Sequence, residues 1–274
     1  MPELPEVETV RRQLEPFLAG KTIIGISVPD PAVVAPLSPQ AFGRRLRGEK
    51  IKAVSRRGKY LRLELDGGGM LVIHLRMTGV LSFVQKDDKK PEKRFLRLKL
   101  CFSNGGCLYF RDQRRFGTAR ILACGEAGSF FVRLGPEPLA RSFTPDVLKR
   151  LLDSRKRPLK SFLLDQSIIA GIGNIYADEA LFRAGLHPLR PAGSLSAAEA
   201  GRLSRAIKET LREAISLAGS SVDTYRDTRG RRGRFQETFR VHRRVGEPCP
   251  GCGGTVKKIR VGGRGTFFCP SCQA

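Results

Sequence analysis

The sequence predicts an α+β protein of several domains, and three observations carry this prediction. Residues 22–134 contain eight short apolar runs separated by turn residues, which is typical of a β-sandwich. Beyond residue 138 the apolar residues recur at helical spacing, which indicates a helical domain. Near the end of the chain, two Cys-x2-Cys pairs with 16 residues between them flank a predicted β-hairpin.

The first predicted element is a helix from Pro5 to about Leu18, ended by Gly20. Its apolar residues recur on one helical face: Val7, Val10, Leu14, Phe17 and Leu18. We expect this face to pack on the domain that follows. That packing would fix the position of Pro2 and Glu3, which directly precede the helix.

The remaining elements are divided by a boundary at Gly135-Pro136-Glu137-Pro138. Before it, the predicted strands are Thr22–Val28, Ile51–Ser55, Tyr60–Leu65, Met70–His74, Gly79–Val84, Phe95–Phe102, Cys107–Arg111 and Thr118–Ala123. After it, the predicted helices are Thr144–Ser154, Leu159–Asp165, Ile175–Ala184 and Ser196–Leu217, with N-cap signals at Thr144 and Ser196. Strands Val256–Val261 and Thr266–Cys269 form the final hairpin, with Arg264 at its tip. We therefore expect domains at residues 1–134, 135–235 and 240–274.

The composition indicates a polyanionic partner. Lys and Arg total 50 against 26 Asp and Glu, a net charge of +24, and the basic residues are spread along the chain. Such an excess is typical of nucleic-acid binding, with a membrane surface as the alternative. We find no long apolar run, signal peptide or lipidation motif in the sequence, so we expect no membrane association and a cytoplasmic location.

Four of the seven cysteines have the spacing of a zinc ribbon: Cys249, Cys252, Cys269 and Cys272. Four sulfurs complete a tetrahedron with no open position, so we expect one structural zinc ion. Disulfide pairing is the alternative, and the lack of a recognisable secretory signal disfavours it. Cys101, Cys107 and Cys124 lie in apolar strand-like segments and are expected to be buried thiols without a chemical role.

The second residue carries candidate chemistry. A proline after the initiator methionine permits removal of Met1, which would leave Pro2 with a free secondary amine. Such an amine can attack an electrophilic carbon and form an iminium ion. Glu3 is the adjacent carboxyl group and can move protons at the same carbon. The alternative is an ordinary N-terminus in which Pro5-Glu6 only begins a helix.

Two further segments have open interpretations. Gly171-Ile172-Gly173-Asn174 is a glycine turn before a helix, which suits a phosphate as well as a plain helix–helix turn. The basic run Arg155-Lys156-Arg157, with Lys160 after it, favours the phosphate. The segment 219–234 is rich in Ser, Asp, Gly and Arg and is expected to be a loop that stays mobile until a ligand orders it.

Three motifs together resemble those of the formamidopyrimidine-DNA glycosylase family. They are Met-Pro-Glu-Leu-Pro-Glu-Val-Glu-Thr at the start, Gly-Ile-Gly-Asn-Ile-Tyr in the middle and the four-cysteine finger at the end. The resemblance covers the whole chain in the right order. It implies a bacterial DNA glycosylase and AP lyase that removes oxidised purines, acting as a monomer on double-stranded DNA with a damaged base. It also implies a helix-two-turns-helix domain, and an imine chemistry that needs no organic cofactor.

The resemblance implies a role for each matching residue. Pro2 would attack C1′ of the damaged nucleotide, Glu3 would assist opening of the sugar, and Lys59 would protonate or position the leaving base or sugar. Arg264 would act in the last strand-cleavage step and in DNA bending. The residues matching DNA contacts are Met77, Arg114 and Phe116, which would fill the hole left by the flipped base, and His74, Arg94, Arg155, Lys160 and Asn174, which would contact phosphates.

The chain departs from the family pattern in four places. Arg94 stands where many members have histidine, and Gln113 replaces a common proline. His242 and Arg243 replace a usual tyrosine and glycine, and Asp223 is an unusual acid in the loop covering the damaged base. Leu4 favours this family over the endonuclease VIII group, which prefers oxidised pyrimidines and is the alternative among enzymes. A non-enzymatic zinc-ribbon nucleic-acid-binding protein is the alternative outside them, and it leaves Pro2-Glu3 unexplained.

Overall fold

The structure, a computed structural model, describes residues 1–86, 88 and 91–274 and divides into two compact units. The first unit comprises Met1–Val132 and Leu217–Arg234. The second comprises Arg133–Ser216 and Phe235–Ala274. The segment 219–234, predicted as a loop after the last long helix, thus belongs to the same unit as the N-terminus.

The first unit has the predicted N-terminal helix and strands, and the strands form two four-stranded antiparallel sheets. Its elements are α1 Leu4–Leu18, β1 Ile23–Ser27, α2 Pro39–Leu46, β2 Ile51–Arg57, β3 Tyr60–Leu65, β4 Met70–His74, β5 Gly79–Val84, β6 Leu96–Phe102, β7 Cys107–Asp112, β8 Thr118–Leu122 and α3 Glu126–Phe131. One sheet has the order β1-β6-β7-β5 and the other β2-β3-β4-β8. All eight predicted strands are present, with ends within two residues of the expected ones.

The apolar face of α1 packs into the core of the first unit, which confirms the expectation from its periodicity. Val7, Val10, Leu14 and Leu18 are at most 1% exposed and share one cluster with buried leucines of β3. Each such side chain stabilises the fold by about 1.5–3 kcal/mol on full burial. The helix therefore holds the N-terminus of the chain at a fixed place on the sandwich.

Two short helices were not predicted. In α2 only Phe42 and Leu46 are buried, too few to give a periodic signal, and the Ser38 side chain caps the helix by accepting the Ala41 N–H at 3.2 Å. The helix α3 has no buried residue within its six-residue span. A 3-10 turn at Pro31–Val34 also lies inside the region read as strands.

The prediction for three cysteines is wrong. Cys101 and Cys107 form a disulfide, because the register of β6 on β7 places them directly opposite each other with a Cα–Cα distance of 4.1 Å. Cys124 is exposed, not buried. The disulfide partner of a cysteine and its exposure depend on how the strands pair, and the residue type alone does not reveal this.

The second unit contains four α-helices and a β-hairpin. They are α4 Pro145–Leu152, α5 Leu159–Leu164, α6 Asn174–Ala184, α7 Ala197–Ser216, β9 Lys257–Val261 and β10 Arg264–Phe268. Thr144 caps α4 by accepting the Val147 N–H, as predicted. Ser196 and Glu199 form reciprocal bonds before α7, with the Glu199 N–H donating to Ser196 Oγ at 3.3 Å and the Ser196 N–H to Glu199 Oε2 at 2.8 Å.

Among the described residues, none of the helices combines the length and apolarity needed to cross a bilayer.

Candidate active site and nucleic-acid interface

The first candidate group is the N-terminus itself. Pro2 is buried, Glu3 is 3% exposed and is the N-cap of α1, and Met1 is 41% exposed. The backbone N–H of Glu3 donates to Oε2 of Glu6 at 2.8 Å. Because α1 is fixed by its buried face, a free Pro2 amine would be presented from a rigid support, with the Glu3 carboxyl one residue away.

Lys59 is held relative to α1 by a short relay of polar contacts. Lys59 lies in the turn between β2 and β3 and is only 6% exposed. The guanidinium of Arg56 donates to Glu8 Oε2 at 3.3 Å and to the carbonyl oxygen of Gly58 at 2.8 Å. Burial raises the pKa of Glu8, but hydrogen bonds from Arg11 and Arg12 outweigh it, so the net shift is downward and Glu8 is charged at neutral pH.

Glu6 joins the N-terminus to the segment 219–234. Its Oε1 accepts the Ser220 N–H at 2.7 Å. Gly219 has a positive φ of 78°, and a Cβ there would lie 2.6 Å from Glu6 Oε1, so a side chain has no room. Tyr225 belongs to the core cluster. The segment expected to be mobile is instead tied to α1 by specific contacts.

His74 is a buried neutral imidazole. Its Nδ1 accepts the Arg76 N–H at 2.9 Å, and its ring packs edge-on against Tyr60 with 4.5 Å between ring centres. Burial lowers the pKa of His74 to about 3, with the nearby charges of Arg76 and Lys59 acting in the same direction. Since Nδ1 is an acceptor, Nε2 carries the proton and can donate a hydrogen bond.

The structure gives two predicted DNA-inserting residues the exposure that insertion requires. Met77 is 39% exposed and Phe116 is 50% exposed, so neither is the core residue that its apolarity would suggest. The guanidinium of Arg114 lies 4.8 Å from the centre of the Phe116 ring, a cation–π contact. All three side chains lie in loops at the ends of strands of the first unit.

Of the expected phosphate contacts, Arg94, Arg155 and Asn174 are at least partly accessible, and Lys160 is not. Arg94 and Arg155 are exposed, and Asn174 is half-buried at the start of α6. Lys160 is fully buried, and its Nζ donates to Asp178 and, at 3.0 Å, to the Asn174 carbonyl oxygen. A direct phosphate contact by Lys160 would require its side chain to leave this place.

Asn174 and the fingertip are joined within the second unit. The Asn174 side-chain NH2 donates to the carbonyl oxygen of Gly265 at 3.0 Å. Arg264, the neighbouring residue, is exposed and begins β10 directly after a Gly262-Gly263 turn. It therefore lies beside the hairpin tip that the sequence indicated. In the glycine turn before α6, the Gly171 N–H is taken by Gln166 Oε1 at 2.9 Å.

Two acids in the middle of α6 organise the segment that departs from the family pattern. Asp178 Oδ2 lies 2.7 Å from His242 Nδ1, and its Oδ1 accepts the Phe267 N–H at 3.3 Å. Glu179 accepts the backbone N–H groups of residues 240, 241 and 242. Burial raises the pKa of Glu179, while these donors act in the opposite direction. His242 is thus an internal support, and Arg243 next to it is exposed.

The four predicted cysteine ligands come together. Their sulfur atoms all lie within 4.8 Å of one another, with 3.8 Å between Cys249 and Cys272 and 3.5 Å between Cys252 and Cys269. Four thiolates about 2.3 Å from a tetrahedral zinc ion stand roughly 3.8 Å apart. The arrangement therefore fits a closed, structural zinc site with four sulfur ligands, and it has no open position for catalysis.

Comparison with known families matches three domains in the order predicted. Residues 1–119 match the formamidopyrimidine-DNA glycosylase N-terminal domain, and residues 134–226 match the H2TH domain of the same enzyme. Residues 246–274 match the zinc finger found in FPG and IleRS. A formamidopyrimidine-DNA glycosylase of Chloroflexus aurantiacus is 47% identical over 274 residues, covering 100% of this chain and 98% of the relative. The chain belongs to the formamidopyrimidine-DNA glycosylase family.

Further relatives agree with this assignment. The formamidopyrimidine-DNA glycosylase of Bacillus subtilis is 44% identical over 276 residues, covering 100% of this chain and 99% of the relative. Among solved structures, a Lactococcus lactis FPG mutant in complex with DNA containing Fapy-dG superposes with a TM-score of 0.91 at 38% identity, covering 99% of each chain. The L. lactis Fpg complex with abasic-site DNA gives a TM-score of 0.91 at 37% identity and the same coverage.

Four acids that support this glycosylase's candidate site were not predicted from the sequence. Glu6, Asp112, Asp178 and Glu179 are each at most 4% exposed. The signal that was available is the presence of acidic residues inside apolar segments of a strongly basic chain, since a carboxylate is rarely buried without partners. Each of these acids also has a partner far away in sequence, such as Ser220 for Glu6 and Thr78 for Asp112, and such a partner could not be predicted.

Proposed function

We propose that this glycosylase excises oxidised purines, such as 8-oxoguanine and formamidopyrimidines, from double-stranded DNA and then cleaves the strand. The observation that carries the proposal is the buried Pro2-Glu3 pair at the start of a rigid helix, in a chain that belongs to this family. The L. lactis complexes with Fapy-dG DNA favour oxidised purines as the substrate class. The zinc-ribbon binder considered above gives no reason for an N-terminus of this form.

Catalysis would begin at the Pro2 amine after removal of Met1. Its lone pair forms a bond to C1′ of the damaged nucleotide while the bond from C1′ to the base breaks, and the base leaves with that electron pair. Glu3 assists opening of the sugar by proton transfer, which converts the adduct to an iminium ion. Lys59 lies in the turn anchored through Arg56, where it would protonate or position the leaving group.

Strand cleavage would follow from the charge of the iminium. The cationic nitrogen withdraws electrons and makes the C2′ proton acidic, so loss of that proton expels the 3′ phosphate by β-elimination. A second, δ-elimination expels the 5′ phosphate and leaves a one-nucleotide gap. Arg264, exposed at the start of β10, is our candidate for assisting this last step.

DNA would be held by neutral and charged donors of both units. His74 offers an Nε2–H, and Arg94, Arg155 and Asn174 offer exposed or half-buried donors for phosphates. We assign Lys160 a supporting role, because its ammonium is occupied by Asp178 and by the Asn174 carbonyl. Together, Met77, Arg114 and Phe116 would occupy the hole left by the flipped base.

The zinc ion bound by the four cysteines would supply structure and no chemistry. Its ligands bracket β9 and β10, so the ion would fix the hairpin that carries Arg264. Asn174, through its bond to Gly265, would hold the same hairpin against α6. We further expect the protein to work as a monomer on bacterial DNA in the cytoplasm.

Paired substrates test this function. A duplex with 8-oxoguanine opposite cytosine should be cleaved at least about tenfold faster than one with thymine glycol, because a site built for one base leaves its polar groups unpaired with another. An undamaged duplex is the control. The reverse preference would indicate the endonuclease VIII-like alternative. Tight binding without cleavage of either damaged duplex would indicate the non-enzymatic binder.

A further inference from the structure

We propose that Asp112 is a positioning residue that joins the two loops carrying Met77, Arg114 and Phe116 into one preorganised insertion surface. The proposal rests on the function proposed above, because it concerns how these side chains enter DNA. Asp112 is completely buried and lies at the end of β7. Its carboxylate bonds to the two loops that carry the inserting side chains, so its effect would be on insertion.

Both oxygens of the Asp112 carboxylate are used. Oδ1 accepts the hydroxyl of Thr78 and, at 3.2 Å, the backbone N–H of Arg114. Oδ2 accepts the backbone N–H of Gly117 at 2.7 Å. Thr78 and Gly117 are the direct neighbours of Met77 and Phe116. The carboxylate therefore bonds to the backbone of Arg114 itself and to the residue next to each of the other two inserting side chains.

Thr78 closes the connection between the loops. Its Oγ1 donates to Asp112 and also accepts the Arg114 N–H at 3.1 Å. This triangle links positions that are 34 residues apart in sequence. In the sheet, Gly79 of β5 lies opposite Asp112 of β7. Both loops therefore begin at the same end of the β5–β7 pair. The Asp112 carboxylate joins them just beyond the last paired residues of the two strands.

At the base of the two loops, Gly79 and Gly117 are packed so closely that neither position has room for a side chain. A Cβ at Gly79 would lie 2.3 Å from the Leu75 carbonyl oxygen, and one at Gly117 would lie 2.4 Å from the Phe110 ring. The guanidinium of Arg115 donates two hydrogen bonds to buried Asp30, at 2.9 and 2.8 Å. Arg114 is left to face a ligand, while its neighbour is committed to the protein.

An asparagine at position 112 is the discriminating substitution. It keeps the volume of aspartate, but one of its two polar atoms is an NH2 donor that cannot accept. Either the Gly117 N–H or the pair formed by Thr78 and Arg114 must then face a donor. Unmade bonds at buried donors are costly, so the loops should relax away from the joined arrangement.

The test compares two substrates for Asp112→Asn, with Asp66→Asn as the matched control at an exposed turn of the same unit. Excision of 8-oxoguanine from duplex DNA needs insertion into the base stack. Cleavage of a single-stranded abasic oligonucleotide uses the same N-terminus but leaves no hole in a helix to fill. Single-turnover rates on both substrates and the urea midpoint of each variant would be measured.

Asp112→Asn should slow duplex excision by about tenfold to a hundredfold, as expected for a misplacement on the ångström scale. Its single-stranded cleavage should stay within about threefold of wild type, and the Asp66→Asn rates within about twofold on both substrates. Thr78→Val, which replaces only the hydroxyl with a methyl group, should also slow duplex excision more than single-stranded cleavage, but by a smaller factor than Asp112→Asn. In the double variant Thr78→Val with Asp112→Asn, the loss of duplex excision, expressed as a free energy, should be smaller than the sum of the two single losses, since both substitutions act on one network.

Equal losses on the two substrates, or full duplex activity in both Asp112→Asn and Thr78→Val, would overturn the positioning role. If Asp112→Asn does not fold, Thr78→Val alone decides by the same comparison. A wild-type protein inactive on both substrates would instead overturn the proposed function, and the positioning role with it. The wild-type measurement therefore separates the two failures.

Discussion

The carboxylate of Glu6 accepts the backbone N–H of Ser220 at 2.7 Å, across 214 residues of sequence. The other oxygen of the same group accepts the Glu3 N–H. One buried side chain thus fixes both the residue beside the candidate nucleophile and the start of the segment at 219–234. The helix that carries the proposed chemistry is also the anchor of that segment.

Glu6→Gln is predicted to destabilise the first unit. A glutamine has one acceptor oxygen in place of two, so one of the two backbone N–H groups would lose its partner, at a cost of about 1–3 kcal/mol. Urea unfolding at pH 7 would measure this change. Glu15→Gln, at an exposed position of the same helix, should cost less than about 0.5 kcal/mol. Equal effects of the two substitutions would argue against the anchoring role.

Asp178→Ala is predicted to lower the free energy of unfolding by more than the loss of so small a side chain would suggest. It would leave the fully buried ammonium of Lys160 without its carboxylate, and breaking one side of a buried pair costs about 3–5 kcal/mol. Removing the ammonium as well, in Lys160→Met with Asp178→Ala, should recover the part of this loss that comes from the buried Lys160 charge, because the Phe267 N–H and His242 lose the same carboxylate in both variants. Unfolding free energies of the single and double variants would test it, with Asp153→Ala as an exposed control. No recovery in the double variant would contradict the pairing argument.

The buried imidazole of His74 predicts a pH dependence of stability. Its pKa is about 3 in the folded protein and about 6.5 in an unfolded chain, so between these values only the unfolded chain binds the proton. The stability that the neutral His74 contributes is fully present above pH 6.5. It falls as the pH drops below this value, with a slope approaching about 1.4 kcal/mol per pH unit.

His74→Asn removes the titrating group but keeps an acceptor for the Arg76 N–H. Its unfolding free energy should therefore fall less steeply than that of wild type between about pH 6 and pH 4.5, by roughly the one-proton slope. His187→Asn, which leaves His74 in place, should keep most of the steep slope. Identical slopes in His74→Asn and wild type would show that His74 is not held neutral by the fold.

Local patterns in the sequence were sufficient for the strands, for the α-helices other than α2 and α3, and for the metal site. The strand β3 alternates buried Leu61, Leu63 and Leu65 with less buried residues, and this period of two is visible in the chain itself. The zinc ligands were found because each Cys-x2-Cys pair is a local motif with its own geometry. The helix α1 was found because five apolar residues mark one face.

Contacts that depend on how the strands pair could not be predicted from the same patterns. The partnership of Cys101 with Cys107 depends on the register of β6 on β7, and that of Asp112 with Thr78 depends on which strands meet in the sheet. Lys160 illustrates the reverse case. Its position in a basic run suggested a phosphate, but the fold places Asp178 beside it and removes it from solvent.

The roles of Pro2, Glu3 and Lys59 are predicted from motifs, and one measurement tests them most directly. The purified protein would be mixed with a duplex carrying 8-oxoguanine opposite cytosine, reduced with borohydride and mapped by mass spectrometry. Our account predicts a covalent adduct on Pro2 in chains that have lost Met1, and none in a variant with an N-terminal extension. An adduct on a lysine, or undiminished trapping in the extended variant, would contradict the central role of Pro2.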